Sequence, residues 1–121
     1  MTRELQPATK LTITVGGDER RSHHPLYQEI LHVLHDEGIV GATLTRGVMS
    51  FGIRRSIHSS MNEITMDNLP IIIEATDERE KVERAASLVA DMLGEHGLIE
   101  AQPVMAAYSV HKGDEGGKSN A

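Results

Sequence analysis

Arg54, Arg55 and His58 stand in a stretch with no acidic residue between Arg46 and Glu63, in a chain whose formal net charge is −6. Gly47 and Gly52 border the start of that stretch, and a glycine lets backbone approach a ligand closely. Guanidinium forks beside accessible backbone amides can donate several hydrogen bonds to one anion, so the segment suits a phosphate or a smaller oxyanion. A solvated loop whose charge serves solubility is the plainer reading, and residue types alone leave both open. Arg20, Arg21, His23 and His24 form a second basic cluster earlier in the chain.

The histidines offer a different chemistry. His23 and His24 are adjacent, and adjacent residues reach one metal only with a special backbone. His32 and His35 stand three apart on a predicted helix, a usable ligand spacing. No cysteine supports them, and Asp36 and Glu37 suit a solvated helix end equally well. A surface role is preferred, with His35 favourable near a helix C-terminus. No metal is therefore expected, and these four histidines are the ones that would have to hold it. For catalysis the chain shows no Gly-x-Ser-x-Gly elbow, no His-Glu-x-x-His and no Walker loop. Ser56, His58 and Glu63 are neighbours in sequence only, and triads are assembled by tertiary structure. No catalytic residue is assigned, and the chain is read as a non-enzyme.

Elements must position these groups. Leu11, Ile13 and Val15 alternate with Thr12 and Thr14, the period of a half-buried strand. Pro25 is suited to start a helix on which Leu26, Ile30, Val33 and Leu34 recur, and Gly38 to stop it. Ala42 to Phe51 reads as a strand interrupted at Arg46-Gly47. The segment 52–68 has no clean period and reads as a long functional loop. Ile71-Ile72-Ile73 marks a strand, and Asp77 with Glu80 resembles a capping box. Val82, Ala85, Ala86, Val89, Met92 and Leu93 form the stripe of a second amphipathic helix. Leu98 to Gln102 is a fourth strand, which Pro103 ends or places on an edge, and Val104 to Val110 alternates again.

The order β-α-β-β-α-β predicts an α+β, ferredoxin-like fold: a four-stranded antiparallel sheet with both helices on one face. Residues 1–10 are expected to be a flexible leader, 11–110 the single domain and 111–121 a flexible tail. The other sheet face then needs a cover. At ~25 cal/mol per Å², leaving several branched side chains such as Ile72 in water forgoes several kcal/mol, and sister subunits are the simplest remedy. The acidic balance argues against a nucleic-acid surface. Residues 1–10 are polar with no signal-like apolar core, and no apolar run nears the length of a membrane helix. A cytoplasmic protein that is not itself membrane-inserted is expected.

The run Gly38-Ile39-Val40-Gly41-Ala42-Thr43-Leu44-Thr45-Arg46-Gly47, followed by Phe51-Gly52, resembles the second-strand region of PII signalling proteins. The likeness is closer to a bacterial and archaeal family of PII-like proteins. Its pattern is matched by His23-His24-Pro25-Leu26-Tyr27, Gly41 to Gly47, Ile57-His58-Ser59, Leu69-Pro70 to Glu74, and Gly97-Leu98. The resemblance spans about residues 10 to 110 and implies a homotrimer with sheets packed inward. It implies small effectors, adenine nucleotides among them, in the clefts between subunits, and a T-loop after the second strand that touches partners. Members of the closer family are often encoded near small ion channels, so a membrane transporter or channel is the implied partner. The phosphate-gripping Gly-Asp-Gly-Lys-Ile loop of PII proteins is missing, and Thr76-Asp77-Glu78-Arg79-Glu80 runs straight into a helix. The modifiable T-loop tyrosine also has no counterpart between Gly52 and Leu69. Effector contacts are expected instead from Arg46, Gly47, Gly52, Arg54, Arg55 and His58, with Arg20 and Arg21 across an interface. A metal-binding protein shaped like CutA, resting on the histidines, is the alternative function. A small ferredoxin-fold enzyme ranks below it, because sparse aromatic residues offer little to line a pocket.

Overall fold

Alternation of threonine with branched apolar residues drives the longest strand of the computed structural model, which describes residues 4–47, 49–51, 57–59 and 69–108. In β1 (Gln6–Gly16) Leu11, Ile13 and Val15 are buried and Thr12 and Thr14 lie on the opposite side. The chain continues through β2 (Arg20–Arg21), β3 (His24–Pro25), α1 (Leu26–Asp36), β4 (Ala42–Arg46), β5 (Met49–Phe51), β6 (Ile57–Ser59), β7 (Pro70–Asp77), α2 (Arg79–Leu93) and β8 (Leu98–Ala106). Four strands form one antiparallel sheet in the order β4-β7-β1-β8. Counting only those strands, the order is 2-3-1-4, which is the ferredoxin-like βαββαβ arrangement expected from the sequence.

Both helices pack on the same sheet face. Leu26, Ile30 and Leu34 of α1 and Val82, Ala85, Val89 and Leu93 of α2 join Leu11, Ile13, Val15, Ile71, Ile73 and Ala75 in one apolar core. Ile13 faces Ile73 on one side and Ile99 on the other, which fixes the register at the middle of the sheet. A one-residue slip would turn every one of these side chains to the other face.

Helix α1 ends as its glycine predicts. Gly38 takes φ +82°, its N–H donates to the His35 carbonyl at 3.1 Å, and the Ile39 N–H donates to the Leu34 carbonyl at 3.1 Å. This is the Schellman pattern, with buried Ile39 supplying its apolar contact.

Four expectations are corrected. The leader of 1–10 is partly strand, because Gln6 to Lys10 pair with Ala106 to Gln102. The strand expected over Ala42 to Phe51 is split between β4 and β5, which belongs to a separate pair with β6. Leu98 to Gln102 and the alternation after Pro103 are a single strand, β8; it lies on the sheet edge, where a proline is tolerated. Asp77 does not cap α2: Glu78 holds the cap position without a side-chain cap bond, and Asp77 is buried at the end of β7.

Candidate functional site

The second basic cluster and Arg46 are carried to the same end of the sheet. After β1 the Gly17 N–H donates to the Leu69 carbonyl at 2.8 Å, and after β4 the Gly47 N–H donates to the Pro70 carbonyl at 2.8 Å. The loop carrying Arg20 and Arg21 and the exit of β4 at Arg46 are therefore both tied to the start of β7. Only β7 separates β4 from β1, so these exits are about 10 Å apart, two strand spacings. Arg20 and Arg21 pair with Pro25 and His24 in a short hairpin, in which Ser22 takes φ +58°. The Arg20 guanidinium donates to the His23 carbonyl at 2.8 Å, which stiffens the hairpin tip. Its base is held by the Leu26 N–H donating to the Glu19 carbonyl at 2.8 Å, and the Glu19 carboxylate lies 3.6 Å from His96 in the turn before β8.

Arg20, Arg21 and Arg46 are all exposed at this end. His58 lies in β6, with Ser50 of β5 opposite. Gly52, Arg54 and Arg55 fall outside the described residues. Gly47 has a packing reason: a Cβ there would lie 2.6 Å from the Pro70 ring. The four candidate metal-binding histidines divide between two places, His23 and His24 at the hairpin and His32 and His35 along α1. His35 pairs with Asp36 at 3.2 Å, and both are largely exposed. Among the described residues no group of three or more His, Asp or Glu is placed to hold a metal ion.

A groove of about 490 Å³ at the opposite end of the sheet escaped the sequence reading. Lys10, Gly41, Thr43, Glu74, Thr76 and Tyr108 are among its lining residues. Register explains the gathering: Thr43 faces Glu74 and Thr76 faces Lys10, on the side turned away from the helices. The Lys10 ammonium lies 3.5 Å from the Glu74 carboxylate. Burial first, and then the charges of Asp77 and Glu78, push the Tyr108 phenol above its ordinary value. One cation, one carboxylate, hydroxyls and a phenol offer both donors and acceptors with little net charge, which suits an uncharged polar group. The signal lay in the strand parity of Thr43, Glu74 and Thr76, but only a known register turns parity into neighbours.

The family model DUF190, described as "Uncharacterized ACR, COG1993", matches residues 8–106. The chain belongs to the DUF190 family. A relative from Methanocaldococcus jannaschii, described as a UPF0166 protein, is 30% identical over 89 residues, covering 74% of this chain and 78% of the relative. Among solved structures, CPII of Thiomonas intermedia K12, described as a nitrogen regulatory PII-like protein bound to ADP, AMP and bicarbonate, superposes with a TM-score of 0.70 at 18% identity. It covers 87% of this chain and 92% of CPII. A PII-like signalling protein of Thermus thermophilus gives 0.59 at 18% identity, over 93% of this chain and 97% of that one. The DUF190 chain thus has the PII-like form of the ferredoxin-like fold. No helix among its described residues is long and apolar enough to cross a membrane.

Proposed function

We propose that this DUF190 chain is a PII-like regulatory protein and not an enzyme. It assembles as a homotrimer through its helix-free sheet faces and binds a small anionic effector, an adenine nucleotide in the first instance, in the clefts between subunits. It signals to a membrane transporter or an enzyme through segment 52–68. The observation that supports the reading is that Gly17, which leads into the Arg20-Arg21 hairpin, and Gly47, which follows Arg46, are both bonded to the chain at the start of β7, just after segment 52–68. An anion held there would sit at the root of the segment proposed to meet the partner. CPII, which shares the fold, has been seen with ADP, AMP and bicarbonate, and those are the ligands to try first. In the proposed assembly the groove of a neighbouring subunit offers hydrogen bonds to the uncharged part of such a ligand.

Isothermal titration with ADP, AMP and bicarbonate, paired with native mass spectrometry, tests the reading. Wild-type protein is expected to be a trimer that binds at least one of the three. Arg46→Ala and Arg54→Ala are each expected to weaken ADP binding roughly tenfold or more, the size of a lost charge-assisted hydrogen bond. Binding of none of the three ligands, or equal affinity in wild type and both variants, would remove the anion site from these residues.

A further inference from the structure

Asp77 is the one buried charged side chain among the described residues, with 1% of its surface exposed. Its carboxylate is divided between two segments: Oδ2 accepts the Val40 N–H at 2.7 Å and Oδ1 accepts the Glu78 N–H at 2.6 Å. Lys81 completes the arrangement, with Nζ 3.7 Å from Asp77 Oδ1 and donating to the Gly38 carbonyl at 3.0 Å. A buried carboxylate is tolerated when charge-assisted bonds occupy both oxygens, as here.

These bonds lie on the helix side of the sheet, behind the strands whose other face forms the groove. Val40 precedes Gly41, which lines it beside Thr43, and Asp77 follows Ala75 and Thr76, which line the adjoining wall on the neighbouring strand. The third wall includes Tyr108, whose phenol feels the charges of Asp77 and Glu78. One carboxylate therefore ties the approach to β4 to the end of β7 and lies electrostatically behind the Tyr108 wall. The core does not need this: Leu11, Ile13, Ile73 and Val89 pack without it.

We propose that Asp77 is the positioning residue of the groove: by holding the Val40 and Glu78 amides it fixes Gly41 beside Thr76 just past the end of the β4–β7 ladder, and with it the affinity for the ligand. The inference rests on the proposed nucleotide reading and deepens it, giving the groove a defined part in binding.

AMP is the probe. Asp77→Asn keeps the volume but leaves one carbonyl oxygen for two amides. It is expected to raise the Kd for AMP roughly tenfold, the loss of about one charge-assisted hydrogen bond. Val89→Ala, a core truncation with no contact to the groove, should lower the melting temperature yet leave the Kd within about twofold of wild type. In a Tyr27→Phe background Tyr108 is the only tyrosine. Its absorbance titration should then move to lower pH in Asp77→Asn and stay put in Val89→Ala. A wild-type Kd in Asp77→Asn, or an equal loss in Val89→Ala, overturns the proposal. Should Asp77→Asn fail to fold, Lys81→Met keeps both amide bonds and loosens the support, and a Kd equal to wild type there also overturns it. If wild-type protein binds no AMP, the nucleotide reading fails and the clamp is judged by hydrogen exchange. Loss of Val40 amide protection in Asp77→Asn, with the Ile73 amide still protected, upholds the positioning role, and unchanged Val40 protection ends it.

Discussion

Gly47 shows how one small residue can serve two masters. Its N–H fastens the end of β4 to Pro70, and the missing Cβ leaves room for the Pro70 ring, which an alanine methyl would meet at 2.6 Å. Gly47→Ala should therefore destabilise the fold by about 1–3 kcal/mol, as overpacking does, lowering the urea midpoint with the slope unchanged. An unchanged midpoint would show that the proline ring yields freely. Exposed charges should behave otherwise. Arg79 and Glu83 pair at 2.8 Å one turn apart on α2, but both are well exposed and screened by solvent, so Glu83→Ala should leave the midpoint of the same denaturation almost unmoved. At this scale the sequence marked Gly47 as special because a glycine interrupts an alternating run. It offered close approach to an anion as the reason, and packing against Pro70 became visible only once β4 and β7 were side by side. Asp77 was misread for the same cause: Asp and Glu three apart look like a capping box, whereas the amide that claims the second Asp77 oxygen belongs to Val40, 37 residues away.

Among the elements, legibility followed length and one-sided burial. The helices were readable because Leu26, Ile30 and Leu34, and Val82, Ala85, Val89 and Leu93, repeat at helical spacing over several turns. The middle of β1 was readable because its two faces meet different surroundings. Gln6 to Lys10 were not, since no alternation of burial marks that stretch, and its strand character comes from pairing with β8. The hairpins β2–β3 and β5–β6 have two or three residues per strand, too few for any period to register. Pro103 pointed correctly to an edge, and the edge has a hazard of its own. β8 is nine residues long and among the described residues pairs only with β1, so its other side is a template for further strands. Pro103 interrupts its row of donors. Pro103→Val should leave the fold intact by circular dichroism while raising light scattering on prolonged warming. Scattering equal to wild type would show that this edge is already covered by something else.

At the scale of the whole molecule the sheet has one finished face and one unfinished one. The helices cover Ile13, Ile71 and Ile73, whereas the other side presents Thr12, Thr14, Thr43, Thr45 and Thr76 with Ile72, Leu98 and Val104 among them. Threonine-rich strands pack well against each other yet tolerate water, so this face is compatible with a subunit seam without demanding one. Leu98 separates the two cases, because it is 55% exposed in the single chain and lies outside the helix-covered core. In an isolated subunit Leu98→Asp exchanges an exposed apolar residue for an exposed carboxylate, with a stability change within about 0.5 kcal/mol. In a trimer joined through these faces the same change buries an unpaired charge in each copy, a penalty of several kcal/mol per subunit that the assembly cannot absorb. Sedimentation velocity at micromolar concentration should then show the wild type as a trimer and Leu98→Asp as single subunits with native secondary structure. Wild-type melting temperature should also rise with concentration, as mass action requires of a fold that draws stability from its partners, and the variant's should not. If the variant keeps the wild-type mass, the open face is not the seam, and an effector cleft between subunits must be sought along the edges of β4 or β8 instead.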